Sequence, residues 1–66
     1  MLTAEHANDA TIKVIVGLTN ALEGFMLAKQ YAEEQGRVTE ENKMQFVDFE
    51  TKLRELKTLI WSLPLA

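Results

Sequence analysis

The sequence contains no cysteine, which limits the ways in which so short a chain can be stabilised. A single domain of this size buries only about 60% of the surface that its unfolded chain exposes, so small folds usually add disulfides, a metal or oligomerisation. The composition excludes disulfides. A structural zinc ion takes four Cys or His ligands, and His6 is the only histidine. We therefore predict no metal, no cofactor and stabilisation by self-association.

Positive charge is also scarce, with seven Lys and Arg against ten Asp and Glu and a formal net charge of −3. Because nucleic-acid binders gain most of their affinity by neutralising phosphates, this balance argues against nucleic acid as a partner. The first eleven residues carry Glu5 and Asp9 but no base, unlike a secretory signal. No run approaches the roughly 20 apolar residues of a membrane span. We predict a cytoplasmic protein with no membrane span.

One short segment, residues 35–39, interrupts an otherwise helical pattern. Gly36 suits the left-handed position just past a helix C-terminus. Thr39, followed by Glu40 and Glu41, suits an N-cap with acids in the first helical turn, where the helix dipole favours them. The segment is therefore predicted to end one helix and begin another.

The predicted fold is all-α, an antiparallel hairpin of two helices over about 3–35 and 40–62, since a short turn favours antiparallel neighbours. The chain 1–66 is expected to form one domain, with Pro64 ending the second helix. The first helix is a turn or two longer than the second. Residues 1–10 should therefore overhang the hairpin, either lying on a partner or fraying.

Apolar residues in each helix alternate three and four positions apart, as in a heptad seam. Pairing the helices outward from the turn brings Phe25 near Phe49 and Leu18 near Leu56. The predicted core seam consists of Leu18, Phe25, Phe46, Phe49, Leu53, Leu56 and Ile60. The opposite, solvent-facing side of the second helix is predicted to carry the charged residues Asp48, Glu50, Lys52, Arg54 and Glu55.

A second set of apolar residues lies off this seam. Fully burying a large apolar side chain is worth about 1.5–3 kcal/mol, so leaving the whole set in water would forgo a sum comparable with the stability of a small domain. A second hairpin would cover them, giving a dimeric four-helix bundle or a higher oligomer. The predicted oligomer or partner interface comprises Ile12, Val16, Gly17, Gly24, Met26, Met44, Val47, Trp61 and Leu65.

Two glycines, Gly17 and Gly24, stand seven residues apart within the first helix, and Ala10 precedes them by another seven. Each mid-helix glycine costs about 0.8–1 kcal/mol relative to alanine, so a close neighbour is expected there. Two explanations remain open. The glycines either fit the second helix of the same chain or contact another subunit.

No catalytic motif is present, and we predict that the protein is not an enzyme and has no catalytic residue. His6 has no serine or cysteine nearby to activate, and general-base catalysis needs a positioned partner. The carboxylates around the turn lack the spacing of a calcium-binding loop. Both features are interpreted as solvated surface.

Two functional hypotheses follow. The first is a small helical interaction protein, an inhibitor or adaptor that acts as a homo-oligomer by binding another protein. Phages and plasmids encode small bundles of this kind, which is an analogy at the level of the fold alone. The alternative is an oligomeric module that sequesters a small anionic metabolite or nucleotide in pockets between subunits. Its possible ligand contacts are Lys13, Tyr31, Arg37 and Lys57.

Overall fold

A computed structural model describes residues 1–65 as two antiparallel helices joined by a short turn. Helix α1 spans Ala4–Glu34 and helix α2 spans Lys43–Leu59, followed by a short 3-10 segment, Ile60–Ser62. All regular structure within the described part of the chain is helical. The all-α hairpin predicted from the sequence is confirmed.

Helix α1 begins at a capping box formed by Thr3 and His6. The Thr3 hydroxyl oxygen accepts a hydrogen bond from the His6 backbone N–H at 3.3 Å. His6 Nδ1 in turn accepts one from the Thr3 backbone N–H at 3.2 Å. The two bonds satisfy backbone donors that a helix N-terminus otherwise leaves free. Residues 4–10 are therefore helical, and the only histidine serves as a cap.

The end of α1 is a Schellman motif centred on Gly36. The Arg37 N–H donates to the Ala32 carbonyl at 2.8 Å, and the Gly36 N–H donates to the Glu33 carbonyl at 3.0 Å. Gly36 has a φ of 71°, which is the left-handed conformation predicted from its position. This conformation crowds a side-chain Cβ against the following carbonyl, and glycine avoids that cost.

The regular part of α2 begins at Lys43, later than the predicted start near residue 40. The intervening residues 40–42 form a turn that Thr39 and Asn42 hold together. The Thr39 backbone N–H donates to Asn42 Oδ1 at 2.7 Å, and the Asn42 N–H donates to the Thr39 hydroxyl at 3.3 Å. These bonds close the turn that leads into α2, and the N-cap residue of the helix is Asn42 rather than the predicted Thr39.

The chain leaves α2 through the 3-10 segment. The Ser62 hydroxyl donates to the Leu59 carbonyl at 2.7 Å. Leu63, which precedes Pro64, is extended with φ −82° and ψ 136°. Proline disfavours helical geometry in the residue before it, which explains the end of the helix here.

The hairpin is long and thin and has almost no interior. Its Cα radius of gyration is 15.7 Å and its principal extents are 50 × 18 × 15 Å. A compact domain of this length would have a radius of gyration of about 11 Å. Among residues 1–65, Ile60 is the only buried side chain, at 9% exposure. One chain therefore lacks the core that normally stabilises a domain.

Helix α1 is long and apolar enough to cross a membrane when judged by length and composition alone, with a mean hydropathy of 1.3 over 18 residues. This finding runs against the expectation that no segment approaches a membrane span. The core helix of a soluble protein and an N-terminal signal sequence meet the same criterion. The cytoplasmic location therefore stays a prediction.

Gly36→Ala should lower the free energy of unfolding by about 1 kcal/mol, because alanine must adopt the left-handed conformation. Gly36→Asn is the matched variant, since asparagine tolerates that conformation better. Urea unfolding at one fixed chain concentration measures both. Equal losses for the two variants would show that backbone conformation is not the reason for glycine at this position.

Candidate functional site

The two helices contact each other along a single line of side chains spaced three and four residues apart. Its members, each less exposed than its neighbours, are Thr11, Ile15, Leu18, Leu22, Phe25, Lys29 and Ala32 on α1, and Phe46, Glu50, Leu53, Lys57 and Ile60 on α2. Phe49 and Leu56, which were predicted to belong to the seam, lie beside this line at 52% and 49% exposure. Helix α2 is rotated so that Glu50 and Lys57 take the positions between Phe46, Leu53 and Ile60.

An aromatic cluster forms the part of the contact nearest the turn. The Phe25 ring centroid lies 4.8 Å from that of Phe49 and 6.3 Å from that of Phe46. These distances fall in the range of favourable aromatic pairs. The predicted proximity of Phe25 to Phe49 is confirmed, and it fixes the alignment of the two helices.

An ion pair crosses the hairpin next to this cluster. Lys29 Nζ lies 3.9 Å from Glu50 Oε1, and the two side chains are only 25% and 23% exposed. Glu50 also accepts a hydrogen bond from Arg54 Nε at 3.3 Å. Helical periodicity had placed Glu50 on the solvent side of α2, which is wrong. The missed signal is that Lys29 and Glu50 follow Phe25 and Phe46 by four residues each, at the next position of the same seam.

A lateral face lies on each side of the line of contact. Successive residues of an α-helix are about 100° apart, so the residues next to each contact residue point to one side or the other of the hairpin. Apart from Lys52, one face carries no Asp, Glu, Lys or Arg, and we call it the charge-free face. It contains Ala10, Val14, Gly17, Ala21, Gly24 and Ala28 from α1, Gln45, Phe49 and Leu56 from α2, and Leu63 after α2. Lys52 lies on this side of α2, between Phe49 and Leu56. An open groove of about 270 Å³ runs along this side, lined by Val14, Leu18, Leu56, Leu59, Ile60 and Leu63.

The glycines of α1 have open space around them. A Cβ atom added to Gly17 or to Gly24 would meet no heavy atom within 4 Å. The explanation that these glycines fit the second helix of the same chain is therefore wrong, because α2 does not approach them. Their cost to helix stability is not recovered within one hairpin.

The opposite lateral face, which we call the mixed face, combines apolar and charged residues. Every predicted interface residue outside the charge-free face is exposed, and Trp61 is the most exposed of them at 73%. The mixed face contains Ile12, Val16, Glu23 and Met26 from α1, and Lys43, Val47, Arg54 and Trp61 from α2 and the segment that follows it. Met44 lies farther round α2, away from α1.

The C-terminal segment folds back towards α1. Leu65 lines a cavity of about 160 Å³ together with Ala7, Ala10, Thr11 and Val14. The segment after Pro64 therefore covers part of the N-terminal half of α1. Fewer of residues 1–10 therefore extend beyond the hairpin than was predicted, because Leu65 lies against Ala7 and Ala10.

The four possible ligand contacts do not meet within one chain. The Arg37 guanidinium carbon lies 5.8 Å from the centroid of the Tyr31 ring, a cation–π arrangement at the turn. Lys13 lies about 27 Å from Tyr31 along the helix axis, at 1.5 Å per residue. Lys57 belongs to the line between the helices. A shared anion site would need a second subunit, so this set stays a prediction.

Residues 1–65 contain no group of three or more potential metal ligands arranged around one point. No protein-family model, curated protein or solved structure matches the chain. The two lateral faces are therefore the candidate functional surfaces of the chain.

Phe25→Ala should destabilise the hairpin by about 2 kcal/mol, less than the roughly 3–5 kcal/mol for losing a fully packed phenylalanine, because the ring is only partly buried. Leu27→Ala is the matched control, since Leu27 is exposed on the same helix. Urea unfolding followed by circular dichroism compares them. If both variants lose the same stability, the aromatic cluster does not anchor the contact.

Proposed function

We propose that this chain acts without catalysis, as a helical homo-oligomer that binds another protein as an inhibitor or adaptor. The observation that supports this proposal is the near-absence of an interior: among residues 1–65 only Ile60 is buried. A polypeptide that leaves its apolar side chains on the surface gains stability by covering them with other protein.

The exposed apolar surface is large enough to drive association. The described chain has an accessible surface of 5382 Å². A compact monomer of the same mass would expose about 4,250 Å². The excess of about 1,100 Å² exceeds the roughly 800 Å² that each partner contributes to a standard interface. Covering the apolar side chains of this surface in a dimer would stabilise the assembly by the part of the burial free energy that exceeds the entropic and desolvation costs of association.

The apolarity of α1 agrees with this proposal. A helix that becomes the buried core of a soluble bundle has the same composition as one that crosses a membrane. The charge-free face and the line of contact lie on adjacent sides of α1. In an oligomer both sides would be covered by protein, and a cytoplasmic location follows as part of the proposal.

The mixed face is the surface that we assign to another protein. Trp61 is its most exposed large side chain, and Glu23 and Arg54 lie along the same side of the hairpin. Tryptophan is enriched at the centre of protein interfaces, since the indole combines a large apolar area with one hydrogen-bond donor. We propose that the partner offers an apolar pocket for this ring.

Sedimentation velocity at micromolar chain concentration should show at least a dimer, because one hairpin has no adequate core of its own. The unfolding midpoint in urea should also rise with chain concentration. A stable monomer that unfolds cooperatively, with a midpoint independent of concentration, would refute the proposed assembly.

The proposed partner site can be tested with Trp61→Ala and, as control, Lys52→Ala. Tagged forms of each are used to capture proteins and small molecules from the native host, and every captured protein is then purified and titrated against the three chains. Trp61→Ala should weaken binding at least tenfold, whereas Lys52→Ala should leave it unchanged. Equal binding by both variants, or recovery of an anionic metabolite or nucleotide alone, would contradict the proposal.

A further inference from the structure

The charge-free face has the composition of a buried surface. Apart from Lys52, which lies between Phe49 and Leu56, its positions carry neither an acid nor a base, although charged residues make up 26% of the chain. The mixed face, by contrast, includes Glu23, Lys43 and Arg54. Charged side chains are depleted where an interface is fully desolvated. Of the two lateral faces, the charge-free one is therefore better suited to permanent burial in a protein–protein interface.

The size of this face matches what a stable dimer needs. The hairpin is 50 Å long and 18 Å across. A surface of these dimensions can supply the roughly 800 Å² per partner of a standard interface. Its groove is lined entirely by apolar side chains from both helices. An apolar surface of this extent suits a second hairpin of equal length.

The two helices are aligned so that large and small residues of this face lie level with each other. Phe25 packs against Phe49, and Val14 shares the groove with Ile60, so residues whose numbers add up to about 74 lie at the same height. By this rule each large residue of α2 is level with a small residue of α1. The pairs are Phe49 with Gly24 and Leu56 with Gly17, and Lys52 is level with Ala21 between them.

We propose that a second copy of the chain docks on the charge-free face, related by a two-fold axis parallel to the helices. This rotation keeps every residue at its height and lays α1 of one protomer against α2 of its partner. Phe49 and Leu56 then enter the open spaces over the partner's Gly24 and Gly17, in the manner of knobs in holes. The proposal rests on the homo-oligomer proposed above and specifies its interface.

This arrangement accounts for both glycines and for the exposed large residues with one contact. The lack of side chains at Gly17 and Gly24 lets the partner helix approach closely, and dispersion contacts with the incoming rings offset the helical cost of glycine. The two-fold symmetry repeats each pair, so that both protomers bury the same residues. The mixed face, with Trp61, remains open on both outer sides of the bundle.

The first test fills one of these spaces. Gly17→Leu should weaken dimerisation at least tenfold by sedimentation, because the added side chain occupies the space of the partner's Leu56. Asn20→Leu, on the outer side of the same helix, is the matched control and should dimerise as tightly as the unchanged chain. Helix content by circular dichroism should be retained at a chain concentration high enough for Gly17→Leu still to associate, since the new side chain meets open space in the single hairpin.

A second test remains decisive even if Gly17→Leu fails to fold. The chain has no native cysteine, so single cysteines can be placed without background. A tagged Gly17→Cys chain mixed with an untagged Leu56→Cys chain should form a mixed dimer with a short bis-maleimide cross-linker. Glu23→Cys mixed with Arg54→Cys, on the mixed face, is the control and should not.

The outcomes separate the interface from the assembly itself. Cross-linking of Gly17→Cys to Leu56→Cys supports the proposed dimer. Failure of Gly17→Cys to cross-link to Leu56→Cys, with a dimer present in sedimentation, would overturn the parallel axis, because that axis lays α1 of one protomer against α2 of its partner. A dimer that cross-links only through the mixed face, or one that Gly17→Leu leaves intact, would overturn the choice of face while the oligomer stands. A monomer in sedimentation would refute both proposals.

Discussion

The two helices meet along one narrow line of side chains, and the remaining properties of the molecule depend on this. A line of contact buries one side of each helix and leaves the two lateral faces exposed. Ile60, where the line meets the 3-10 segment, is the only side chain within residues 1–65 to become buried. Hydrophobic stabilisation scales with the apolar area removed from water, so the contact stabilises the hairpin only weakly. The lateral faces stay exposed in the single hairpin and are available for contacts with another chain.

The two charged residues in the middle of the line of contact contribute more to the alignment of α1 with α2 than to the stability of the hairpin. Lys29 and Glu50 occupy positions that apolar side chains would fill in a strongly packed pair of helices. An ion pair at such a position contributes little net free energy, because removing the charges from water offsets their attraction. It does penalise other alignments, in which each charge would lie against apolar residues. The pair therefore helps to fix which large and small residues lie level along the charge-free face.

The sequence sufficed to predict the turn and the helices because their signals are local. Gly36 and Thr39 act on backbone groups within a few residues, so their roles could be assigned without knowing the packing. The rotation of α2 was different. Its apolar residues form a stripe wider than one neighbouring helix can cover, and periodicity alone does not decide which edge of the stripe faces α1. Leu56 was therefore assigned to the centre of the hairpin contact and Glu50 to the solvent side, whereas Phe49 does pack against Phe25 at the edge of the contact.

Because a single chain has almost no interior, the amount of folded protein in the cell would depend on the concentration at which the chain is made. When folding and association are one event, the folded fraction depends on total chain concentration by mass action. At low expression most chains would be unassembled and open to proteases, which act on unfolded polypeptide. The concentration of assembled protein would then rise more steeply than the rate of synthesis. The proposed dimer would therefore accumulate only above a threshold concentration of chain. Below that concentration, newly made chains would be degraded before they assemble.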